Sequence, residues 1–403
     1  MSGGSGYTRA MATIDDAFSF HAHVRGRVLP ALARLDGLEA ELDRVLAFYD
    51  ALAARDLDFD LRQGPPWPSN LCEQDCALEL AYTFGGRDTC GVRYSYEPTC
   101  KKSFLKPRHA LCRDRLKAAM RLAGDDGDDG DDGYDVEKFL ELFHLGVPPD
   151  VQLAISGDAT ACIAAIHHYK GRAPRLKAYF SVDYVDVARS LDVTRGLVGA
   201  LHDRGRSEQL EVFLEKWGPE RGVRMVGFDF EPQRPLEAKV YRQGAGLDGH
   251  GLDELIAFAG GGSAARDGVR TFQDLLLDKD RDPARFNLVT LAPSSEHPPR
   301  LKLYIRPVEL YDDAEALERL RRWYRALGCD DELASAEQGL AAVAPLDVLS
   351  RTRGFFNYLS VDVGPEGVTK TSIYFAPLLP LMWLAREEPE RLKQLAAAGQ
   401  RFG

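Results

Sequence analysis

The stretch Arg175-Leu176-Lys177-Ala178-Tyr179-Phe180 decides the reading of this chain. Polar and apolar residues alternate along it, the mark of a strand with two unlike faces. Leu176, Ala178 and Phe180 fall on one face and Arg175, Lys177 and Tyr179 on the other, because successive side chains point to opposite sides of a sheet. The pattern returns in Glu237-Ala238-Lys239-Val240-Tyr241 and in Arg300-Leu301-Lys302-Leu303-Tyr304-Ile305-Arg306. Looser copies are Lys370-Thr371-Ser372-Ile373-Tyr374-Phe375 and Val92-Arg93-Tyr94-Ser95-Tyr96-Glu97. One Lys-x-Tyr strand is no more than a solvated face with a snorkelling lysine. A set recurring at intervals of roughly sixty residues is an internal repeat. Its basic and phenolic face suits an anion together with a group that favours aromatic rings.

Composition narrows the field. The chain has 403 residues, 45% of them hydrophobic, with a net charge of −11. That is enough apolar material for a large core. The acidic balance argues against nucleic acid as the main partner, although a local basic pocket remains compatible with it. No apolar run is long enough to cross a bilayer, so no membrane partner is expected. Seven cysteines, an odd number, with no secretory signal, point to reduced thiols in the cytoplasm. Four of them lie between Cys72 and Cys100, but no Cys-x-x-Cys pair is present, so zinc is set aside. Residues 1–13 read as a flexible leader or tag, and 14–403 as a single domain.

Taken in order, the chain reads as helical over 14–56, then as a hairpin of Leu78–Phe84 with the Arg93 strand, turning at Gly85-Gly86. The Asp- and Gly-rich run 125–133 resembles a magnesium-diphosphate or calcium motif. It is low-complexity and lacks a closing Glu, so a solvated loop is the expectation. Residues 151–156 read as a strand and 159–169 as a short helix or irregular link before the Lys177 strand. Further strand pairs are expected at 223–230 with 238–241, at 287–291 with 301–305, and at 355–363 with 369–375. Pairs of helices separate them, and a terminal helix covers 381–398. Five antiparallel pairs on one pattern remove their exposed edges by closing. The expected fold is α+β: a ten-stranded antiparallel β-barrel inside a ring of α-helices, with the Lys/Arg/Tyr face lining the lumen. A polar lumen is costly unless it is wet or filled by ligand, which argues for a binding chamber.

The ordered set of αββα units, each with its Lys-x-Tyr strand, resembles the aromatic prenyltransferases of the αββα-barrel (PT barrel) type. The Leu-Glu-Leu strand and the Arg-x-x-x-Glu-Pro strand are similar to the dimethylallyltryptophan synthase branch in its bacterial-like form. The resemblance spans about 14–380. It implies that Glu79 accepts an indole N–H. It implies that Arg93, Lys177, Lys239 and Lys302 bind a prenyl diphosphate, and that Tyr179, Tyr241, Tyr304 and Tyr374 shield an allylic cation. It also implies no required cofactor, with Mg2+ not obligatory. Three departures stand out. Glu237 occupies a position usually held by arginine, for which Arg234, Arg300 or Arg306 would compensate. Lys370 replaces a usual tyrosine. The catalytic lysine of the fungal members aligns near Ala164, which leaves two readings of His167, His168 and Lys170: a core or surface role for each, or a replacement base among them.

The residues suit such a reaction in their own right. Cations on neighbouring strands stabilise a departing diphosphate. Tyrosine faces attract an allylic cation by about 0.5–2 kcal/mol each and exclude water. The expected activity is transfer of a prenyl group, dimethylallyl foremost, to the indole of tryptophan or a tryptophan-derived molecule. Two alternatives stay open: a phenolic or other aromatic acceptor, and a non-catalytic barrel that carries a small anionic or hydrophobic ligand. Either a monomer or a homodimer is compatible with the sequence.

Overall fold

In the computed structural model, residues 15–84, 91–99, 108–122, 133–150, 161–217, 222–244, 249–277, 286 and 288–400 are described. Ten strands form one closed antiparallel barrel: β1 (Leu78–Phe84), β2 (Arg93–Tyr96), β3 (Cys162–Tyr169), β4 (Arg172–Ser181), β5 (Met225–Phe230), β6 (Glu237–Gln243), β7 (Leu288–Ala292), β8 (Arg300–Ile305), β9 (Phe356–Gly364) and β10 (Gly367–Phe375). Each strand pairs with its sequence neighbours, and β10 pairs with β1 to close the ring. Among the described residues, two α-helices lie in each interval between successive hairpins, for example Val187–Gly199 and Arg204–Trp217 between β4 and β5. Asp135, Asp186 and Asp312 cap helices by accepting the backbone N–H three residues on. Those groups would otherwise lack a partner at a helix start.

The strand alternation divides the molecule into two apolar regions. Outward-facing Leu176, Ala178 and Phe180 are fully buried, and with their counterparts on the other strands they join the helices in one large core. Phe180 packs edge-on against Phe143, on helix Val136–Gly146, with ring centroids 6.2 Å apart. The last residue of that helix, Gly146, lets it approach the strand closely. A Cβ at this position would come within 2.7 Å of the Phe180 ring. A second, much smaller cluster lies inside the barrel, built on Tyr241, Leu288 and Tyr304.

Several expected elements differ. Residues 162–169 form strand β3, not a helix or irregular link. Inward Ile163, Ala165, His167 and Tyr169 alternate with outward Ala164, Ile166 and His168, so the run lacks the polar–apolar contrast that signals a strand. The helical stretch 14–56 is broken, with a left-handed turn at Gly37 (φ 65°) between Leu29–Leu35 and Leu42–Ala53. The terminal helix is two, Leu378–Glu387 and Pro389–Gln400, because a proline cannot continue the first. The leader, the Gly85-Gly86 turn, most of the acidic run and the strand expected at 151–156 lie outside the described residues.

Phe180→Ala removes a fully buried ring at the contact between barrel and helix. It should cost roughly 3–5 kcal/mol, read as a lower urea midpoint with an unchanged m-value. A loss below about 1 kcal/mol would mean the barrel does not depend on this contact.

Candidate active site

The inward faces of the ten strands enclose a chamber of about 660 Å3. Strand register sorts its lining into tiers. Toward one end stand Arg93 on β2, Arg175 and Lys177 on β4, Lys239 on β6, Lys302 on β8 and Lys370 on β10. Carboxylates lie among them. Asp229 on β5 sits directly across from Lys177 and receives its Nζ at 3.0 Å and that of Lys239 at 2.5 Å. Asp362 on β9 sits across from both Lys302 and Lys370, with Lys302 Nζ at 3.2 Å. A chain of hydroxyls links the other side. Arg93 Nη1 donates to Thr83 Oγ1 (2.6 Å), Thr83 donates to Ser372 Oγ (3.1 Å), and Lys302 Nζ donates to the same Ser372 oxygen (3.0 Å).

The next tier is phenolic. Ring centroids of Tyr179 and Tyr241 lie 5.8 Å apart, Tyr241 and Tyr304 6.3 Å, and Tyr304 and Tyr374 5.9 Å. Tyr358 on β9, opposite Tyr374, adds a fifth ring 6.1 Å from Tyr304. Gly227 on β5 makes room for this arc. A Cβ there would fall 2.7 Å from the Tyr179 ring and 3.3 Å from that of Tyr241. Lys302 Nζ stands 5.5 Å from the Tyr304 centroid and 5.6 Å from that of Tyr374. Tyr374 is shifted opposite to Tyr179, Tyr241, Tyr304 and Tyr358, whose hydroxyls burial raises. Burial raises its hydroxyl, but Lys302 and Arg93 more than offset this and bring it down to about 8.

Glu79 lies beyond the tyrosines. Its carboxylate accepts a short hydrogen bond from Asn357 Nδ2, which also donates to Leu71 O at 3.2 Å. Asn357 reaches it because the β9–β10 pairing slips there: Tyr374 faces Tyr358, and Phe375 faces Phe356. A bulge of this kind re-aims one side chain. Burial raises the Glu79 carboxyl to about 7, against the opposing pull of Asn357, Arg93 and Arg306. Glu97 holds the adjacent loop by accepting from Ser69 Oγ (2.6 Å), Asn70 N (2.8 Å) and Leu71 N (3.1 Å). Arg224 also lines this end, with Nε 3.7 Å from Asp183.

The structure thus gathers Glu79, Arg93, Lys177, Lys239, Lys302, Lys370 and the four expected tyrosines around one chamber. Arg300 stands at the rim, bound to Glu237 at 2.6 Å. Arg306 does not compensate for Glu237. It pairs with Glu73 and Glu309 and lies over Tyr358, near Glu79 rather than near the basic tier. Arg234 faces Glu231 at 3.4 Å. The cation that fills this corner is Arg175, whose Nη2 lies 2.8 Å from Glu231 and whose Nη1 lies 3.6 Å from Asp229. Of the three replacement bases, His167 faces the chamber. Burial, then Arg93, Lys177, Arg175 and Lys370, hold it well below the ordinary imidazole value. His168 points into the outer core against Phe48 and Tyr94, and Lys170 lies in the β3–β4 turn. Asp229 and Asp362 were readable from parity alone, each flanked by outward apolar residues. Asn357 carried no signal, because alternation sends it outward.

Among the described residues, Cys72, Cys76, Cys112 and Cys329 are free thiols. Among the described residues no group of three or more His, Cys, Asp or Glu gathers as a metal site, and no helix is long and apolar enough to cross a membrane.

No protein-family model matches the sequence, and no curated protein resembles it at the level of sequence. Solved structures resemble the fold closely. The 5-dimethylallyltryptophan synthase of Streptomyces coelicolor superposes with a TM-score of 0.69 at 20% identity, over 90% of this chain and 98% of that one. The 6-dimethylallyltryptophan synthase of Micromonospora olivasterospora gives 0.71 at 17% identity, over 89% and 97%. AnaPT from Neosartorya fischeri gives 0.70 at 17%, over 92% and 96%. The chain has the PT-barrel fold of these proteins.

The raised Glu79 carboxyl has a consequence for stability. The folded chain holds this proton more tightly than the unfolded chain, so the contribution is full below the ordinary carboxyl range and is lost as pH rises toward about 7. Glu79→Gln, which can still accept from Asn357, should therefore raise stability at about pH 8 by up to about 3 kcal/mol and change it little near pH 4. Equal melting shifts at both pH values would show that Glu79 is not held protonated by its site.

Proposed function

We propose that this protein transfers a prenyl group, dimethylallyl foremost, from its diphosphate to the indole of tryptophan or of a tryptophan-derived molecule. The observation that carries this reading is the stacking of a basic tier, a phenolic tier and a buried carboxylate along one chamber. The basic tier suits the diphosphate: Arg93 offers a planar fork, and Lys177, Lys239, Lys302 and Lys370 offer point charges. As the allylic C–O bond breaks, negative charge grows where these cations converge. The arc of Tyr179, Tyr241, Tyr304, Tyr374 and Tyr358 then faces the allylic cation and keeps water from it. Glu79 accepts the indole N–H and enriches the ring for attack. A C–C bond forms, and the ring proton leaves. His167, neutral and facing the chamber, is our candidate to receive it.

Arg224 supplies a cation at the Glu79 end for the carboxylate of an amino-acid acceptor. The Streptomyces coelicolor and Micromonospora olivasterospora synthases are known in complex with DMASPP and Trp, which supports this donor and acceptor for a chain of the same fold. The density of cations in the basic tier supports a reaction without an obligatory metal. The free thiols support a cytoplasmic location.

The direct test is incubation with tryptophan and dimethylallyl diphosphate in EDTA, read by mass spectrometry. The expected product gains one prenyl unit. Diphosphate binding with no alkylated product across a panel of indoles and phenols would instead favour a carrier, and product from phenols alone would reassign the acceptor. In the active protein, Lys177→Ala should raise the KM for the donor about tenfold or more while leaving that for the acceptor nearly unchanged. The opposite split would mean the two ends of the chamber are reversed.

A further inference from the structure

The basic tier has a feature that a diphosphate site does not need for charge alone: two carboxylates among its cations, Asp362 lining the chamber and Asp229 buried behind Lys177 and Lys239. Both occupy equivalent places. Asp229 on β5 lies between the cation-bearing strands β4 and β6, and Asp362 on β9 lies between β8 and β10. Asp229 is the more enclosed, only 5% exposed. Its two oxygens gather Lys177 (3.0 and 3.1 Å), Lys239 (2.5 Å) and Arg175 (3.6 Å) from three directions. Arg175 is also held by Glu231, to which its Nε and Nη2 donate at 3.0 and 2.8 Å, so the six cations meet three carboxylates and a surplus of positive charge remains for the ligand.

We propose that Asp229 is a positioning residue for the donor site, holding the Lys177 and Lys239 amines convergent before the diphosphate arrives. This rests on the function proposed above. The alternative is that Asp229 merely tempers an excess of positive charge. Physics separates the two. Lys177 is enclosed by the barrel wall and surrounded by Lys239, Arg93 and Arg175; burial and these three neighbours all favour its neutral amine, and Asp229 opposes them. Without the carboxylate, every remaining influence on Lys177 favours its neutral amine, and Lys177 and Lys239 lose the oxygen atoms that draw them together, whereas Arg175 keeps Glu231. Binding must then recover a proton and reassemble the cluster, which is the cost that preorganisation removes.

The two roles predict opposite signs. If Asp229 only tempers charge, Asp229→Asn removes a repulsive group and diphosphate binds more tightly. If Asp229 positions the cluster, the same change weakens binding, and more so as pH rises. The experiment is calorimetric titration of the full-length protein with inorganic diphosphate between about pH 6 and pH 8.5. The expected result for Asp229→Asn is a Kd raised by about tenfold or more near pH 8, with a smaller increase near pH 6, where Lys177 regains its proton. Tighter or unchanged binding across the range would overturn the proposal.

Melting curves establish that the variant is folded. If it is not, Asp229→Glu carries the test. That carboxylate keeps the charge but sits one methylene further out, so affinity should fall several-fold at every pH with no added pH slope, and unchanged affinity would overturn the proposal. Wild-type protein that binds no diphosphate would remove the donor site itself and the function built on it. Wild-type binding with an indifferent variant would remove only the role of Asp229.

Discussion

Everything in this molecule depends on the in-and-out alternation of side chains around a closed ring of strands. A sheet of ten strands has two faces, and closure gives each a fixed fate: one meets the helices, the other a shared interior. The hydrophobic driving force is spent on the outer face, where Leu176, Ala178, Phe180 and their equivalents pack. The inner face is thereby released from the usual requirement that a protein centre be apolar. It carries lysines, arginines, carboxylates and hydroxyls because the fold does not rely on it for its main core. A one-residue slip in any strand would exchange the two faces and place a Lys-x-Tyr pair against a helix. Register and function are therefore secured by the same outer contacts.

Within that interior, charge is arranged in depth. Cations cluster at one end, where Lys177 and Lys239 have Asp229 beside them and Lys302 has Asp362 and Ser372. The phenols lie between, pressed close enough for ring contacts because Gly227 leaves the wall bare. Glu79 stands at the far end, held by Asn357 from a bulge in the last hairpin. Its carboxyl is raised by burial, whereas Tyr374 is lowered by Lys302 and Arg93. The same enclosed volume thus moves two acidic groups in opposite directions, and the difference lies in which cations stand nearby.

The recurring strand made the barrel and most of its inner lining legible from sequence. Periodicity of two marks the face, and repetition marks closure. It failed where those signals are absent. Strand β3 has alanine on both faces and histidines on opposite ones, so the inward His167 and the outward His168 look alike in the sequence. Asn357 was hidden because a bulge suspends alternation at the one place where it matters. Arg306 shares the parity of Lys302 and Tyr304, yet it lies past the end of β8 and turns to Glu73 and Glu309. Asp229 and Asp362 were in plain view, but a search for groups that attract an anion passes over groups that repel it.

The pairing of β10 with β1 joins segments from opposite ends of the barrel sequence, Leu80 with Phe375 and Phe84 with Thr371. During synthesis on a ribosome, the first hairpin must wait for almost the entire remaining polypeptide before its open edge finds a partner. Until then the nascent sheet presents unpaired backbone to the cell and has no sealed interior. The chamber, with its cations and phenols, therefore exists only once the last hairpin has been made and has met the first.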